Sequence, residues 1–496
     1  MKLYWGDVHN HCGISYGYGG LENALKAAKE QLDFCAIIGH ATWHDIPEPT
    51  PGLEYKIEYH LNGFKKLENN WDEIREKIKN ANVPHEFVTF QGYESHSSRY
   101  GDHHFLSKDD DLPLITGLSP IEIMERFGDR DVIAVPHHVG YTPGYRGGNW
   151  EAFNQKNSPI VEVFSKHGSG VSETSTYPYY HSMGPRDSRS TVYSALKRGL
   201  RFGFVGSTDH HAGYPGSYGD GRMAVLATEK TRESIWEAIL ARRTYAVTGD
   251  KIECEFKINN EHMGSEIDGS RDRNIELSVK GNDDIDKIIV YKNLKPWKII
   301  NGETLNSENT NTYKVRVEMG WGSNASEFEW EGQVNIHNGN LVSVEPCFRG
   351  RSILAPSPDL KDSDSLNDLN NKIISQSNDN VSWTCTTFRN PTPLHAHTAG
   401  LVLEINGDEK SKIELNINGK KMELTIEELL NGNRSMHLKP HTSEAVLVHR
   451  AIPEGKYTYT GQWIDKERYT NSDVYHVEVK QMNNQCAWIS PIYALV

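Results

Sequence analysis

Two histidines lie two residues apart near the start of the chain, in the segment GDVHNHCG at residues 6–13. In a β-strand, residues i and i+2 point to the same face, so His9 and His11 would face one space together. Two neighbouring imidazoles are difficult to satisfy by hydrogen bonds in a core, whereas a metal ion accepts both as neutral ligands. Taken alone, His-x-His is as compatible with buried structural histidines as with a metal site.

The other histidines are concentrated in the first half of the chain, because 15 of the 23 lie within the first 211 residues. Several of them, with two carboxylates, close or follow short apolar segments: His40, Glu94, His103 or His104, His137 or His138, His167, Asp209 and His211. The carboxyl ends of parallel strands meet at one edge of a sheet or barrel. This pattern favours a shared metal site over separate structural histidines. His44, His60, His85 and His181 lack this placement and are predicted to be structural.

The candidate donors are imidazoles and carboxylates without thiolates, a mixture that suits Zn²⁺, Mn²⁺ or Fe²⁺. Without His167, eight such positions exceed what one tetrahedral ion can use, so we expect two or three divalent ions, with Glu94 and Asp209 able to bridge them. Two ions about 3.5–4 Å apart would lower the pKa of a shared water and clamp the attacking and leaving oxygens. The donor set therefore predicts hydrolysis, most naturally of a phosphoester.

Short apolar segments alternate with amphipathic helical patterns up to about residue 250. Strands are predicted at 34–40, 87–95, 132–138, 160–168 and 202–210, and the helical patterns between them include one that Ser119 would cap. This alternation predicts a parallel sheet, and about seven repeats would close it into a TIM-like barrel. The expected fold class is α/β, with the barrel over residues 1–250.

From residue 251 the apolar period changes to two, and Asn, Asp and Gly residues separate the segments. This pattern predicts an antiparallel β-sandwich region over residues 251–496, as one or two domains. The polar stretch 359–380 is predicted to be a long loop. The tryptophans of this half are expected in the core rather than on a sugar-binding surface.

Composition limits the classes of partner. No apolar run approaches the roughly 20 residues of a membrane span, and the first residues show no signal-peptide pattern. The six cysteines are far apart, which suits reduced thiols in a cytoplasm. A formal charge of −14 disfavours a nucleic-acid partner or a nuclease activity. We therefore expect a cytoplasmic protein with a small-molecule substrate and neither nucleic-acid nor membrane partners; a homo-oligomer stays open.

Three more residues are candidates for contact with the substrate. Lys166 and His167 end a predicted strand beside glycines, where they could bind an anion and protonate a leaving group; a solvated loop is the alternative. Arg186 precedes a predicted helix and could hold a carboxylate or phosphate, although a surface role is the simpler interpretation.

Across about residues 1–250 these motifs resemble the polymerase-and-histidinol-phosphatase (PHP) family of metal-dependent hydrolases. GDVHNH resembles its opening His-x-His, AIIGH its Thr-Asp-His, GYE and HHFL its next Glu and His, AVPHH a further His motif, and GSTDHH its closing Asp-x-His. The resemblance implies a distorted (βα)7 barrel with a di- or trinuclear centre of Zn, Mn or Fe. It implies these ligands, with His103 preferred to His104 and His137 to His138: His9, His11, His40, Glu94, His103, His137, Asp209 and His211.

One residue departs from the family pattern, because Gly39 stands where the family has an Asp. Any orienting or proton-handling role of that Asp is expected to be missing or moved. The segments GHATWHD, VEVFSKHGS and CAWISPIY look closer to an uncharacterised PHP-like subfamily that carries a C-terminal β domain.

The predicted function is that of a metal-dependent hydrolase in which a hydroxide bridging the metals attacks a small phosphoester, with His167 as proton donor. Hydrolysis of a lactone or amide by the same centre is the chemical alternative. A catalytically silent barrel with a carbohydrate- or protein-binding β module is the alternative of another class, and the near-complete set of ligands disfavours it.

Overall fold

The computed structural model describes residues 1–175, 177–179, 184–306, 311–323, 327–352, 369–392, 395–467 and 472–496. Its helices are α1 (Leu21–Lys29), α2 (Glu54–Ala81), α3 (Pro120–Phe127), α4 (Val192–Lys197), α5 (Arg232–Leu240), α6 (Ile426–Leu430) and α7 (Glu454–Tyr457), with 3₁₀ turns at Ser188–Ser190 and Gly302–Thr304. None of the helices in these ranges combines the length and apolar character that a membrane crossing needs.

The strands of the first half are β1 (Lys2–Asp7), β2 (Phe34–Ala36), β3 (Gly39–Trp43), β4 (Val88–His96), β5 (His103–Ser107), β6 (Val132–Pro136), β7 (Ile160–Ser165), β8 (Gly168–Ser169), β9 (Gly203–Gly206), β10 (Arg222–Ala227) and β11 (Thr244–Val247). Those of the second half are β12 (Glu253–Ile258), β13 (Glu261–His262), β14 (Glu266–Asp268), β15 (Arg273–Lys280), β16 (Ile285–Lys292), β17 (Lys295–Asn301), β18 (Thr312–Gly320), β19 (Phe328–Cys347), β20 (Lys372–Gln376), β21 (Asn380–Thr387), β22 (Thr398–Ile417), β23 (Lys420–Thr425), β24 (Arg434–His437), β25 (Ala445–Val448), β26 (Ile452–Pro453), β27 (Thr458–Asp465), β28 (Asp473–Gln481) and β29 (Cys486–Leu495).

The first half is mixed α/β rather than a strict alternation of parallel strands and helices. Strand β2 is parallel to β1 and β4, and β3 is parallel to β4. Strand β5, however, is antiparallel to β4 and β6, and β10 is antiparallel to β1. The connection from β4 to β5 is only six residues long, which is too short for a crossover helix, so these two strands pair as a hairpin. A (βα)7 barrel stays a prediction.

The segment after β1 is held between two neighbouring segments. Ile38 N donates a hydrogen bond to Asn10 O (2.8 Å) on one side. On the other side, His11 N donates to His210 O (2.7 Å) and Asp209 N donates to His9 O (2.7 Å). The ends of β1, β2 and β9 therefore converge, although β7, β8 and β9 form a separate three-stranded sheet.

The second half is antiparallel β structure, as its period-two pattern indicates. One sheet has the order β20-β21-β19-β22-β18-β25-β24, with β23 and β26 at its side, and a smaller sheet has the order β13-β12-β15-β27. Apolar residues of β12 and β15, such as Phe256 and Leu277, pack in one core with Val290 and Val479. The predicted loop 359–380 is partly wrong, since its end forms β20, which pairs with β21 through backbone hydrogen bonds; residues 359–368 lie outside the described residues.

The predicted domain boundary at residue 250 falls inside the structure rather than in an exposed linker. Strand β29 pairs with β11, so one sheet continues from the first half into the C-terminal strands. The fully buried Asp250 accepts hydrogen bonds from Tyr218 (2.8 Å), Arg316 (2.7 Å), Gln481 (2.7 Å) and Asn483 (2.8 Å). These contacts join the two halves through a buried, satisfied carboxylate.

We expect a fragment of residues 1–250 not to fold. It would expose the edge of β11 and the apolar residues, such as Tyr245 and Val247, that share a core with the second half. Urea unfolding followed by circular dichroism of the fragment and of the full chain tests this expectation. A soluble fragment with a cooperative transition would contradict it.

Candidate metal centre

Seven of the eight predicted ligands meet in one buried cluster at the ends of the strands. Each is at most 7% exposed, so the cluster lies inside the protein rather than on its surface. They follow β1, β6 or β9 or lie on β3 and β4: His9, His11, His40, Glu94, His137, Asp209 and His211.

Glu94 lies at the middle of the cluster. Its Oε2 atom is 3.3 Å from His40 Nε2, 3.5 Å from His11 Nε2 and 3.7 Å from His9 Nε2. Its Oε1 atom is 2.7 Å from His137 Nε2. One carboxylate therefore faces histidines on two sides, which is the arrangement expected of a bridging ligand.

Asp209 is the second carboxylate that faces several imidazoles. Its Oδ1 lies 3.1 Å from His11 Nε2 and its Oδ2 lies 2.8 Å from His167 Nε2. Burial raises the pKa of Asp209, but His9, His11 and His167 outweigh burial and hold this pKa well below its usual value. Its backbone is left-handed (φ 48°), a conformation that non-glycine residues rarely adopt and that is common at functional sites.

Several polar atoms of the cluster have no hydrogen-bond partner in the part of the chain that the structure describes. Among the described residues, His9 Nε2, Glu94 Oε2, His137 Nδ1 and both ring nitrogens of His104 are buried without a hydrogen-bond partner. Buried polar atoms in native proteins are almost always paired. Burial lowers the pKa of His40 and His104 well below the usual value, so both rings are neutral. Neutral imidazoles with unused nitrogens around a carboxylate fit divalent metal ions.

His104, rather than the preferred His103, belongs to this cluster. Strand β5 pairs with β4 so that His104 lies directly opposite Glu94 and shares its face. The His104 ring stacks on His9 with a centroid distance of 4.5 Å. His103 points to the other face, where its Nδ1 lies 2.9 Å from Gly101 O. The structure therefore places His104 at the cluster and the preferred His103 outside it, because strand pairing and not the local sequence decides which histidine faces inward.

Glu162 is a residue of the cluster that the sequence interpretation missed. It lies on β7, only 3% exposed, and its Oε2 is 2.9 Å from His9 Nδ1. A carboxylate on a ligand histidine fixes the ring and leaves Nε2 for the metal. The sequence does contain a feature that points to this residue, because Glu162 is the only charged residue in the otherwise apolar segment IVEVF.

His96 and Asp102 were also missed. His96 is two residues after Glu94 on β4, so alternation places it on the same face, and its Nδ1 is 3.2 Å from Glu94 Oε1. Asp102 Oδ2 lies 2.9 Å from His96 Nδ1 and accepts a hydrogen bond from Arg146 Nε (2.7 Å). His138 lies at this side of the cluster, with Nε2 3.7 Å from Asp102 Oδ2.

Gly39 lies against helix α2, next to His40. A Cβ atom at Gly39 would lie 2.5 Å from Leu67 Cδ1 on helix α2, so a larger side chain there would require Leu67 to move. Ser15 instead holds the neighbouring histidine, because its Oγ lies 3.1 Å from His40 Nδ1 and accepts a hydrogen bond from His40 N (3.0 Å). Ser15, on the loop after β1, therefore orients the His40 ring.

The predicted substrate contacts divide into two groups. Lys166 Nζ lies 2.8 Å from His211 Nδ1, and His167 contacts Asp209, so both border the cluster. Burial lowers the pKa of Lys166 to about 8. Arg186 donates hydrogen bonds to Tyr177 O (2.9 Å) and Glu173 O (3.3 Å) instead, so these donors are used. His181 lies outside the described residues.

Comparison with known proteins gives weak similarities. No family model matches the chain. An uncharacterised protein of Chlamydia pneumoniae is 26% identical over 236 residues, which cover 42% of this chain and 37% of that protein. An uncharacterised protein of Chlamydia trachomatis is 34% identical over 132 residues, which cover 24% of this chain and 21% of that protein. The chain thus spans well under half the length of these curated relatives.

Two solved structures are also similar. A two-domain protein from Bacteroides vulgatus that contains a predicted PHP-like metal-dependent phosphoesterase is 14% identical, with 60% of this chain and 85% of that chain covered and a TM-score of 0.35. The lesion-specific endonuclease PfuEndoQ from Pyrococcus furiosus is 14% identical, with 48% and 56% covered and a TM-score of 0.29. At these TM-scores the similarity determines neither the fold nor the function of this chain.

The two adjacent histidines of β5 form a matched pair for a first test. We expect His104→Ala to lower the number of divalent ions bound per chain and His103→Ala to leave it unchanged, because His104 alone faces His9. Elemental analysis after loading and desalting measures this number. Equal metal contents in the two variants would contradict the assignment.

The contact between Glu162 and His9 gives a second expectation. Glu162→Gln should weaken metal affinity by roughly 10–100-fold, because the amide holds the His9 ring less firmly and lacks the negative charge. Competition with a chelator measures the affinity. The exposed Glu151→Gln makes the same charge change as a control. An unchanged affinity in Glu162→Gln would exclude an orienting role.

Proposed function

We propose that the chain is a metal-dependent hydrolase and that its substrate is a small phosphoester. The observation that carries this proposal is the buried cluster of imidazoles and two carboxylates in which several ring nitrogens and one carboxylate oxygen have no hydrogen-bond partner in the described residues. Two or three ions of Zn, Mn or Fe would suit these donors. When bound, such ions polarise the scissile group and lower the pKa of water for nucleophilic attack.

Eight residues would hold the ions: His9, His11, His40, Glu94, His104, His137, Asp209 and His211. Several are oriented by contacts that occupy the nitrogen facing away from Glu94. His11 Nδ1 donates a hydrogen bond to Ile38 O (2.8 Å), which leaves Nε2 directed at Glu94 and Asp209. The site is therefore preorganised by strand backbone as well as by side chains.

The side chains at the border of the cluster favour an anionic substrate. Lys166 places an ammonium group 2.8 Å from His211, and a phosphoryl group at the metals would lie beside this charge. His167 Nε2 lies 2.8 Å from Asp209 Oδ2, and we assign His167 as the proton donor to the leaving group. Both residues are at most 8% exposed, so the substrate that reaches them is a small molecule.

The test is release of phosphate from a panel of phosphomonoesters and diesters by protein loaded with Mn²⁺ or Zn²⁺. We expect release that chelation abolishes. His9→Ala and Asp209→Ala should lose bound metal and activity together, because both residues face the centre of the cluster. His337→Ala, which removes a half-exposed histidine of β19, should keep both.

Two results would contradict parts of this proposal. Full metal content in His9→Ala and Asp209→Ala would exclude these residues as ligands. A fully metallated wild-type protein that releases no phosphate but hydrolyses a lactone or amide panel would replace the phosphoester by an acyl substrate.

A further inference from the structure

A segment of the second half, residues 348–351, lies against the loop that follows Asp209 and His211. Tyr218 N donates a hydrogen bond to Phe348 O (2.9 Å), and Gly350 N donates to Ser217 Oγ (3.1 Å). A Cβ atom at Gly350 would lie only 2.8 Å from His210 Nε2, so the backbone approaches this loop as closely as a glycine permits. The β region therefore forms a wall next to the proposed ligands.

Arg349 is the charged side chain that this segment brings to the wall. Its guanidinium lies over the Tyr218 ring, with 5.2 Å between Cζ and the ring centroid. Its Nε is buried without a hydrogen-bond partner among the described residues, and no carboxylate among them lies within ion-pair distance. A guanidinium has five N–H donors, and leaving buried donors unpaired is unfavourable.

Structural packing alone does not account for Arg349. The Tyr218 ring already has Arg316 over it at 5.4 Å, and Arg316 Nη1 bonds the Tyr218 hydroxyl (2.9 Å). Arg316 is in turn paired with Asp250 (2.7 Å). Arg222 also lies over this ring, at 5.9 Å, so Arg349 is a third cation at a ring whose hydroxyl is satisfied, and its Nε is left for a ligand.

Asp220 and Lys166 are the charged residues that relate Arg349 to the metal centre. Asp220 lies within the electrostatic influence of both Arg349 and Lys166: burial raises the pKa of Asp220, and the two cations oppose this rise. Lys166 in turn contacts His211 at 2.8 Å. Lys166 and Arg349 therefore both act on the same carboxylate, and two cations near one carboxylate favour the binding of an anion.

We propose that Arg349 binds an anionic group of the substrate that is remote from the cleaved bond, so that the substrate carries at least two anionic groups and the β region completes the substrate site. This inference rests on the proposed function. The planar guanidinium suits a carboxylate or a second phosphate, which it can hold through two parallel hydrogen bonds. Arg349 is accordingly a specificity-determining residue.

Binding of non-hydrolysable probes tests the inference without turnover. The probes are phosphonoacetate, 3-phosphonopropionate and 4-phosphonobutyrate, each compared by calorimetry with the alkylphosphonate that lacks its carboxylate. The full-length protein is loaded with metal and desalted first. We expect at least one carboxylated probe to bind wild type about tenfold more tightly than its partner, the usual effect of one charge-assisted bidentate contact.

Variants of Arg349 identify the residue responsible. Arg349→Gln should abolish this preference, and Arg349→Lys should keep part of it and confirm that the site tolerates substitution. Arg351→Gln is the matched control, because the Arg351 guanidinium pairs with Glu327 and lies 4.7 Å from the Phe388 ring centroid, and so should retain the full preference.

The outcomes separate this inference from the proposed function. Absence of a preference in wild type, or its persistence in Arg349→Gln, overturns the inference even if phosphoesters are hydrolysed. A preference that Arg349→Gln removes supports the anionic subsite, and it does so even if the loaded protein releases no phosphate, a result that would overturn only the phosphoester assignment.

Discussion

The main constraint on the structure is the burial of two carboxylates and six imidazoles close together, because each of their polar atoms needs a partner. Charged and polar groups are costly to bury unless each finds a partner, and side chains alone leave several atoms of this cluster without one. Glu94 is central because each of its oxygens faces imidazole nitrogens, at distances from 2.7 to 3.7 Å. Divalent ions would supply partners for these unpaired atoms. The atoms that make the metal-free core unfavourable would then stabilise the metal-loaded core.

Asp7, at the end of β1, does not join the cluster: its carboxylate accepts hydrogen bonds from Thr208 Oγ1 (2.6 Å) and Gly216 N (2.9 Å). It thereby fixes the end of β1 to the segment that carries Asp209. Burial raises the pKa of Asp7 to about 6, against the opposing effect of these hydrogen bonds. A structural carboxylate thus aligns two ligand-bearing segments.

Sequence patterns predicted which side chains lie together better than they predicted the topology. Alternation and strand-end placement were enough to expect His9, His11 and Asp209 near one another, because these placements depend on local geometry. The choice between His103 and His104 depends on which residue of β5 lies opposite Glu94, and no local pattern specifies that pairing. The pairing of β29 with β11 joins residues about 240 positions apart, so a change of period at residue 251 could not reveal that the halves share a sheet.

The loop after β9, which carries Asp209 and His211, has little secondary structure of its own and is held in place by both halves of the chain. It is held from the first half by Arg222, whose Nε donates a hydrogen bond to Gly216 O (2.9 Å), and by Asp7. From the second half it is held by the backbone of Phe348 and Gly350. Asp209 and His211 keep their positions because both halves fix this loop, so the β region supports the centre even where it does not touch it.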